Sequence, residues 1–312
     1  SINAPLRIKL IGLYHPEKLN EYDDTYNYYS KSYSAVASHL YNYHQYRKHN
    51  VIIIAYDDIN WVDMSKKRLN KIHSNIIFTN GCFDITAKPF SMLWGFNADM
   101  PKSIPTKELL HQTLQAVGSH HLSLIKDSLV KDNPNTKIDC DGIAQGYTVD
   151  QLSLLLRNQG IKDFMVELGG EVFSSGKNLS GNDWVIGIEG SDVYAKDQNF
   201  LSKKISLSNM AVTTSGSMKK FRQLGNLYWS HVVDPRTGLP VDNGIVSVTV
   251  IGKDAITADA YDNGFMVMGI QSSLLLANQS KDLGVHIVYV NADGSFSDTA
   301  NAYFKRFLLH SH

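Results

Sequence analysis

The segment Lys137 to Gly176, K-I-D-C-D-G-I-A-Q-G-Y-T-V-D-Q-L-S-L-L-L-R-N-Q-G-I-K-D-F-M-V-E-L-G-G-E-V-F-S-S-G, constrains the fold more than any other stretch of the chain. Its apolar positions Val149, Leu152, Leu155 and Leu156 fall at helical spacing, which predicts one amphipathic helix with a buried face. In the run Asp139, Asp141, Gly142, Gln145, Gly146 the carboxylates are expected to lie just before that helix, with close backbone approach available beside them. The helix is expected to end near Gly160. Phe164 to Leu168 then reads as a short buried strand running into Gly169-Gly170. Acids, glycines and a helix start in one place suit a phosphate ester and a metal.

The rest of the chain fits a mixed α+β fold with antiparallel-rich sheets flanked by helices. Residues 64 to 78 have helical spacing, and Thr106 is a plausible N-cap for a helix through about Val117. From Trp184 onward strand-like runs dominate: Trp184 to Ile188, Lys204 to Leu207, Ala211 to Thr213, His231 to Val233, Ile245 to Val250 and Val285 to Val290. One helix, about Ile256 to Met268, interrupts them. Residues 24 to 50 are rich in Tyr and read as a variable insertion or an exposed helix. No internal repeat or linker divides residues 1–312.

Composition excludes several functions. Lys+Arg and Asp+Glu balance at 30 each, so no global field draws the chain to nucleic acid or an anionic membrane. No run approaches the roughly 18 to 20 apolar residues of a spanning helix. No charged-then-apolar signal precedes Leu10, and a start at Ser1 without Met reads as a processed terminus. Cys82 and Cys140 sit in turn-like contexts rather than a disulfide framework. Gly169, Gly170 and Gly176 do not form G-x-G-x-x-G, which argues against a dinucleotide-binding Rossmann domain. His120-His121, His310 and His312 lack partners at zinc spacing and read as surface.

Four further clusters can carry chemistry. Phe83-Asp84-Ile85-Thr86, after Thr79-Asn80-Gly81, presents a carboxylate on a turn. Thr213-Thr214-Ser215-Gly216-Ser217 reads as a hydroxyl-rich turn after a strand. In Ser230-His231-Val232-Val233-Asp234-Pro235-Arg236-Thr237-Gly238, His231 can serve as a general base, orient an anion or simply support a strand. In Thr257-Ala258-Asp259-Ala260-Tyr261-Asp262-Asn263-Gly264, Asp259 and Asn263 lie four apart on one helix face, with Asp262 beside them. Their oxygens can reach one hard cation. Acids in a helix's first turn also suit its dipole with no metal at all.

In this order, the motifs F-D-I-T…P-F…L-W-G-F, I-D-x-x-G-I-A-x-G-Y-x-V-D, G-I-x-x-x-x-V-x-L-G-G, T-S-G, S-H-V-V-D-P-R-T-G-x-P-V and A-D-A-x-x-x-x-x-M-V-M-G resemble the ApbE family of bacterial FAD:protein FMN transferases, from about Leu10 to Leu309. The resemblance implies a single ApbE-like domain and a reaction. FAD is split at its pyrophosphate, FMN passes to a Ser or Thr hydroxyl of a target flavoprotein, and AMP leaves, with Mg²⁺ required. It implies His231 as the catalytic residue, and Asp259, Asp262, Asn263 and the Gly142 carbonyl as metal ligands. Tyr14 would stack on a flavin nucleotide ring, and Cys82, Phe83, Asp84, Asp139, Gln145 and Val233 would line the FAD site. Ser215 and Gly216 would lie along the phosphates. The family is mostly exported to the periplasm or cell envelope.

Three departures stand out against the family pattern. Asn263 occupies a position that is usually Thr. Gln145 stands where Lys is common, removing a cation that would meet the phosphates. The family's M-G-T strand and helix before the Tyr14 segment have no counterpart in the nine residues before Leu10, so part of the FAD pocket is expected to be missing. Mg²⁺-dependent hydrolysis of FAD to FMN and AMP, or FAD binding without turnover, are the alternatives to transfer.

Overall fold

A computed structural model describes residues 6–10, 51–55, 79–96, 99–125, 128–188, 203–217 and 221–309. Tyr14, the Tyr-rich stretch 24–50, the helical pattern 64–78, His310 and His312 lie outside the described residues. In chain order the elements begin with strands β1 (Leu6–Leu10) and β2 (Val51–Ala55), then helices α1 (Lys88–Leu93) and α2 (Lys107–Leu114). The hairpin β3 (Leu122–Ile125) and β4 (Ser128–Lys131) follows, then helix α3 (Asp141–Asn158) and strands β5 (Phe164–Leu168) and β6 (Glu171–Ser175). Next come β7 (Trp184–Ile188), β8 (Lys203–Leu207), β9 (Met210–Gly216), β10 (Phe221–Leu224), β11 (Leu227–Ser230) and β12 (Ile245–Gly252). Helices α4 (Ala255–Met268) and α5 (Ile270–Gln279), strands β13 (Gly284–Val290) and β14 (Phe296–Ala300), and helix α6 (Ala302–Lys305) complete the series.

Eight strands form one mixed sheet in the order β1-β2-β5-β6-β9-β12-β13-β14, with separate ribbons β3-β4, β7-β8 and β10-β11. Only β1-β2 and β2-β5 pair in parallel; the other neighbours are antiparallel. The period-two alternation of side chains assigns the two faces. On one face, Phe164, Val166, Leu168 and Ala211 pack under Val149, Leu152 and Leu156 of α3. Farther along, Val248, Val250, Val285 and Ile287 pack under Ala258, Phe265 and Met266 of α4. On the opposite face Val172, Val212 and Ile251 meet Ile205, Leu207 and Phe304, so the β7-β8 ribbon and α6 cover it. The result is the α+β architecture the sequence predicts.

Local expectations are largely met. Helix α3 ends where predicted, with Gly160 at φ 77° just beyond it. Thr106 caps α2 by accepting from the Leu109 N–H at 3.2 Å. Two readings need correction. Thr213 to Gly216 is not a turn but the end of β9, in register with β12 from Thr213↔Val250 to Gly216↔Ser247; a run of Thr favours a pleated strand once a partner is present. His231 stands just past β11 rather than opening a strand, and Val233 makes only an isolated bridge to Pro240. Helices α5 and α6 were also missed. Both are short, and Gly269 at φ 85° separates α5 from α4, splitting what would otherwise read as one helix and a loop.

Candidate functional site

Helices α3 and α4 cross at their N-terminal halves and cap one another. Asp150 of α3 accepts from the Ala255 and Ile256 N–H groups at 2.8 and 3.0 Å, satisfying donors that the first turn of α4 leaves unpaired. In return, Oδ2 of Asp259 in α4 accepts from the Gly146 N–H of α3 at 2.9 Å. Gly146 is required by the approach itself. A Cβ there would lie 2.4 Å from the Ala255 carbonyl oxygen and 2.8 Å from Asp259 Cβ.

One turn before Gly146, the Gly142 carbonyl points across the same gap. It accepts from Nδ2 of Asn263 at 3.1 Å. The same nitrogen lies 3.2 Å from Asp259 Oδ1, 2.9 Å from the Asp259 carbonyl oxygen and 3.0 Å from Asp262 Oδ1. Four oxygens therefore surround one carboxamide nitrogen that has only two protons to donate. The amide oxygen of Asn263 faces the other way, where the Ser215 hydroxyl donates to it at 3.4 Å. The sequence reading expected that oxygen to face the acids. Two carboxylates and two backbone carbonyls gather there, and the amide presents its donor side to them.

The acids of this cage are strained electrostatically. Asp259 is buried, and its carboxyl is held well above the usual carboxylate range, first by burial and then by the charge of Glu171. Asp262 is raised in the same way, by burial and by Asp259. Asp262 Oδ2 and the Thr213 hydroxyl make no well-formed hydrogen bond, although Thr213 lies near enough to favour the charged form of Asp262. Glu171, just after Gly169-Gly170, is pushed up to about 7 by burial and by Glu167, and its Oε2 is also unpaired. Among the described residues no three His, Cys, Asp or Glu side chains form a metal-binding group. The cage mixes acids with a backbone carbonyl and a carboxamide instead. Buried, unpartnered oxygens with a negative bias form a donor set for a hard divalent cation.

Around the cage lie the other predicted residues. The Asp139 carboxylate accepts from the Asp141 N–H at 3.1 Å, and its own N–H donates to the Ile85 carbonyl at 2.6 Å, tying the start of α3 to the Asp84 turn. Both oxygens of Asp84 are turned into the protein: one accepts from the Thr86 N–H and hydroxyl at 2.8 and 2.6 Å, the other from the Ser119 N–H at 3.0 Å. The Phe83 side chain is buried against Ile143 and Tyr147, and its N–H donates to the Thr79 hydroxyl at 3.2 Å, which leaves only its carbonyl to meet a ligand. Gln145 lays its Nε2 over Gly169, in the space a side chain at that position would need. Gly216 is the last residue of β9, one beyond Ser215.

The thiols of Cys82 and Cys140 are free, and both are raised by burial, Cys140 to about 12. Cys82 lies near Arg236, which is paired with Asp234 at 2.7 Å in the Asp-Pro-Arg-Thr-Gly turn. That turn is locked to the Leu-Trp-Gly-Phe segment, because Trp94 Nε1 donates to the Gly238 carbonyl at 2.7 Å. Gly238, at φ 73°, has Phe90 where a Cβ would project. His231 stands edge-on to Phe96 with ring centroids 6.1 Å apart. Val233 packs against the cluster of Trp94, Phe96 and Trp229. His120 is exposed, whereas His121 is paired with Asp132 at 2.7 Å. Sequence reasoning missed Glu171 as a member of the site, and placed Thr213 in a hydroxyl-rich turn rather than beside the acids. Glu171 follows a Gly-Gly turn and Thr213 precedes T-S-G, but nothing in either pattern signals burial beside Asp259 and Asp262.

The fold that carries this buried oxygen cage is shared with a structurally defined class. The fold superposes on "Flavin Transferase ApbE from Vibrio cholerae" with a TM-score of 0.69 and 35% identity, covering 79% of this chain and 78% of that one. The apo flavinyl transferase ApbE of Pseudomonas stutzeri matches with a TM-score of 0.68 at 28% identity, over 78% of this chain and 74% of that one. The ApbE family profile matches residues 42–287, and the chain belongs to the ApbE family. Among curated relatives, the FAD:protein FMN transferase of Vibrio cholerae serotype O1 is 36% identical over 74% of this chain and 68% of its own length. The protein of the same name from Escherichia coli (strain K12) is 33% identical over 74% of this chain and 66% of its own length.

Proposed function

We propose that this chain transfers FMN from FAD to a Ser or Thr hydroxyl of a target flavoprotein, releasing AMP. The observation that carries the reading is the convergence of the Gly142 carbonyl, Asp259 Oδ1 and Asp262 Oδ1 on one point, with Ser215 on the far side of Asn263. Those oxygens suit Mg²⁺, with the Asn263 oxygen joining them after a half-turn of its amide. Bound there, the ion would supply charge neutralisation to the diphosphate.

The protein's own residues do the rest. Ser215 and Gly216, at the end of β9, line the phosphate path, and the N–H groups at the start of α3 add positive potential beside it. Asp139 and the backbone of Cys82 and Phe83 hold the nucleotide, with Gln145 and Val233 at its borders. His231 takes the proton of the acceptor hydroxyl as the new O–P bond forms and the diphosphate P–O bond breaks, with AMP leaving. Tyr14 would stack on the flavin nucleotide. The reaction belongs to the periplasm or cell envelope, where the family's targets would be met.

The test is incubation with FAD, Mg²⁺ and a flavoprotein domain carrying a D-G-x-S/T-G-A-T segment. The expected outcome is a mass gain on the acceptor equal to one FMN phosphoester; free FMN and AMP with no adduct would replace transfer by hydrolysis.

A further inference from the structure

The β10-β11 hairpin turns through two residues, with Leu224 paired to Leu227 and Arg222 to Trp229. In such a hairpin the pair flanking the turn exchanges hydrogen bonds, and bonded and non-bonded pairs then alternate. Leu227 and Trp229 therefore point their backbone groups at β10, while Tyr228 and Ser230 point theirs outward. The residues beyond the strand keep this alternation. The Val232 carbonyl accepts from the Val241 N–H at 2.9 Å, and the Asp234 N–H donates to the Leu239 carbonyl at 2.9 Å. This outward edge thus starts a ladder with residues 239–241, which stops when the chain turns away at Asp242 to Gly244. No described residue bonds to the outward N–H and C=O groups of Tyr228 and Ser230.

A cleft of about 630 Å³ opens where that ladder stops. Its walls are the β10-β11 hairpin and residues 240–246, with Trp94 and Met266 also lining it. Phe221, Leu227 and Tyr228, which are 53%, 56% and 64% exposed, also line it. The cleft borders both segments assigned to the chemistry. Ser230 and Val232 are the covalent neighbours of His231, and Ser217, which follows Ser215-Gly216, also lines it.

We infer that this cleft receives the acceptor protein, whose modified segment lies extended along the outward edge of β11 as an added strand, its hydroxyl residue delivered at the His231 end. The inference rests on the transfer reaction proposed above, which requires a polypeptide hydroxyl to reach His231. An exposed strand edge supplies main-chain hydrogen bonds to any extended segment, and flanking pockets select its side chains. The interrupted ladder with residues 239–241 shows that this edge already pairs in that manner. Apart from Asp242 the lining is apolar or uncharged. The segment it fits is accordingly small or apolar beside the acceptor hydroxyl, not a basic or acidic run.

Amide hydrogen exchange on the protein with FAD, in the presence and absence of a flavoprotein domain carrying a D-G-x-T-G-A-T segment, tests this directly. The Tyr228 and Ser230 amides are expected to slow on acceptor addition, while Leu227 and Trp229, already bonded within the hairpin, do not change. Tyr228→Pro removes one outward donor without breaking a hairpin bond. It should raise the acceptor KM by about 10-fold, the worth of one such hydrogen bond, while the FAD Kd holds. Adduct formation by the wild-type protein with unchanged exchange at Tyr228 and Ser230 overturns the docking site alone. Should Tyr228→Pro fail to fold, the exchange measurement on the wild-type protein decides the docking site by itself. Absence of any adduct with the wild-type protein overturns the transfer reading, and the docking site with it.

Discussion

The half-buried carboxylate of one charged dyad and the buried acids of the α3-α4 cage are treated in opposite ways. At the β13-β14 end, Asp298 is bonded to His286 Nε2 at 2.8 Å and to Lys203 at 3.1 Å. Burial alone would raise Asp298, but those hydrogen bonds outweigh it and hold the carboxyl below its usual range. In the α3-α4 cage, Asp259, Asp262 and Glu171 face one another with no described Lys, Arg or His paired to them, and all three are raised. A cluster built only for stability provides its own counter-charge, as Asp298 does. One that leaves acids uncompensated is waiting for a charge from outside. The dyad is not perfect either, since His286 Nδ1 is buried without a partner.

The largest expected effect breaks function without breaking the fold. Asp259→Asn keeps an acceptor for the Gly146 N–H but removes a cage charge. Transfer activity should fall by about 100-fold or more, while the melting temperature without metal stays level or rises. A variant that keeps its activity would remove Asp259 from the site.

Next, Glu171→Gln should stabilise the metal-free protein at alkaline pH. Its folded pKa of about 7 lies above the ordinary 4.5, so ionising it costs stability as pH rises through that window. A shift of that size is worth about 3 kcal/mol at pH 8 and nothing at pH 4. Urea unfolding at the two pH values checks it, and equal gains at both would refute the burial argument.

Asp298→Asn tests the opposite cluster. It should cost about 1–3 kcal/mol of stability and leave transfer unchanged. The pH dependence runs the other way from Glu171. His286 is lowered by burial from 6.5, and Asp298 is lowered too. For both, stability is complete above the unfolded pKa and is lost as pH falls through the folded one. The wild type should therefore lose part of its stability between neutral and mildly acid pH as His286 charges, and Asp298→Asn should lose more there, because Asp298 favours the charged ring and its removal leaves burial unopposed.

The smallest effect is expected at Asn263. Asn263→Thr removes the amide donor among the cage oxygens, so the metal-free protein should lose about 1 kcal/mol. The rise in melting temperature on adding Mg²⁺ should then be larger than in the wild type. Equal shifts in both proteins would mean that the amide does not stand in for the cation.

Much of this was legible along the chain because it is local. The α3 helix itself, its end at Gly160, strand Phe164–Leu168, the Thr106 cap and the acid pair on one helix face follow from spacing and capping chemistry alone, whereas α3 starts at Asp141, which the sequence alone places just before it. T-S-G was misread as a turn because its strand character depends on β12 alongside, more than thirty residues later. Glu171 escaped notice because a lone acid after Gly-Gly carries no signal until burial removes its water. The paired orientation of Asn263 could not be foreseen either, since which end of an amide faces inward depends on the oxygens that surround it.

By itself, the sequence determined the family, the elements and the residue types gathered for the chemistry, since periodicity, caps and motif order are properties of neighbouring residues. Tertiary structure alone decided which carboxylates lack a counter-charge, which edge of the β11 hairpin faces an open cleft, and that Gly142 and Asp259 share one point. Those facts arise from desolvation and from distances between segments over a hundred residues apart, and no local pattern encodes either.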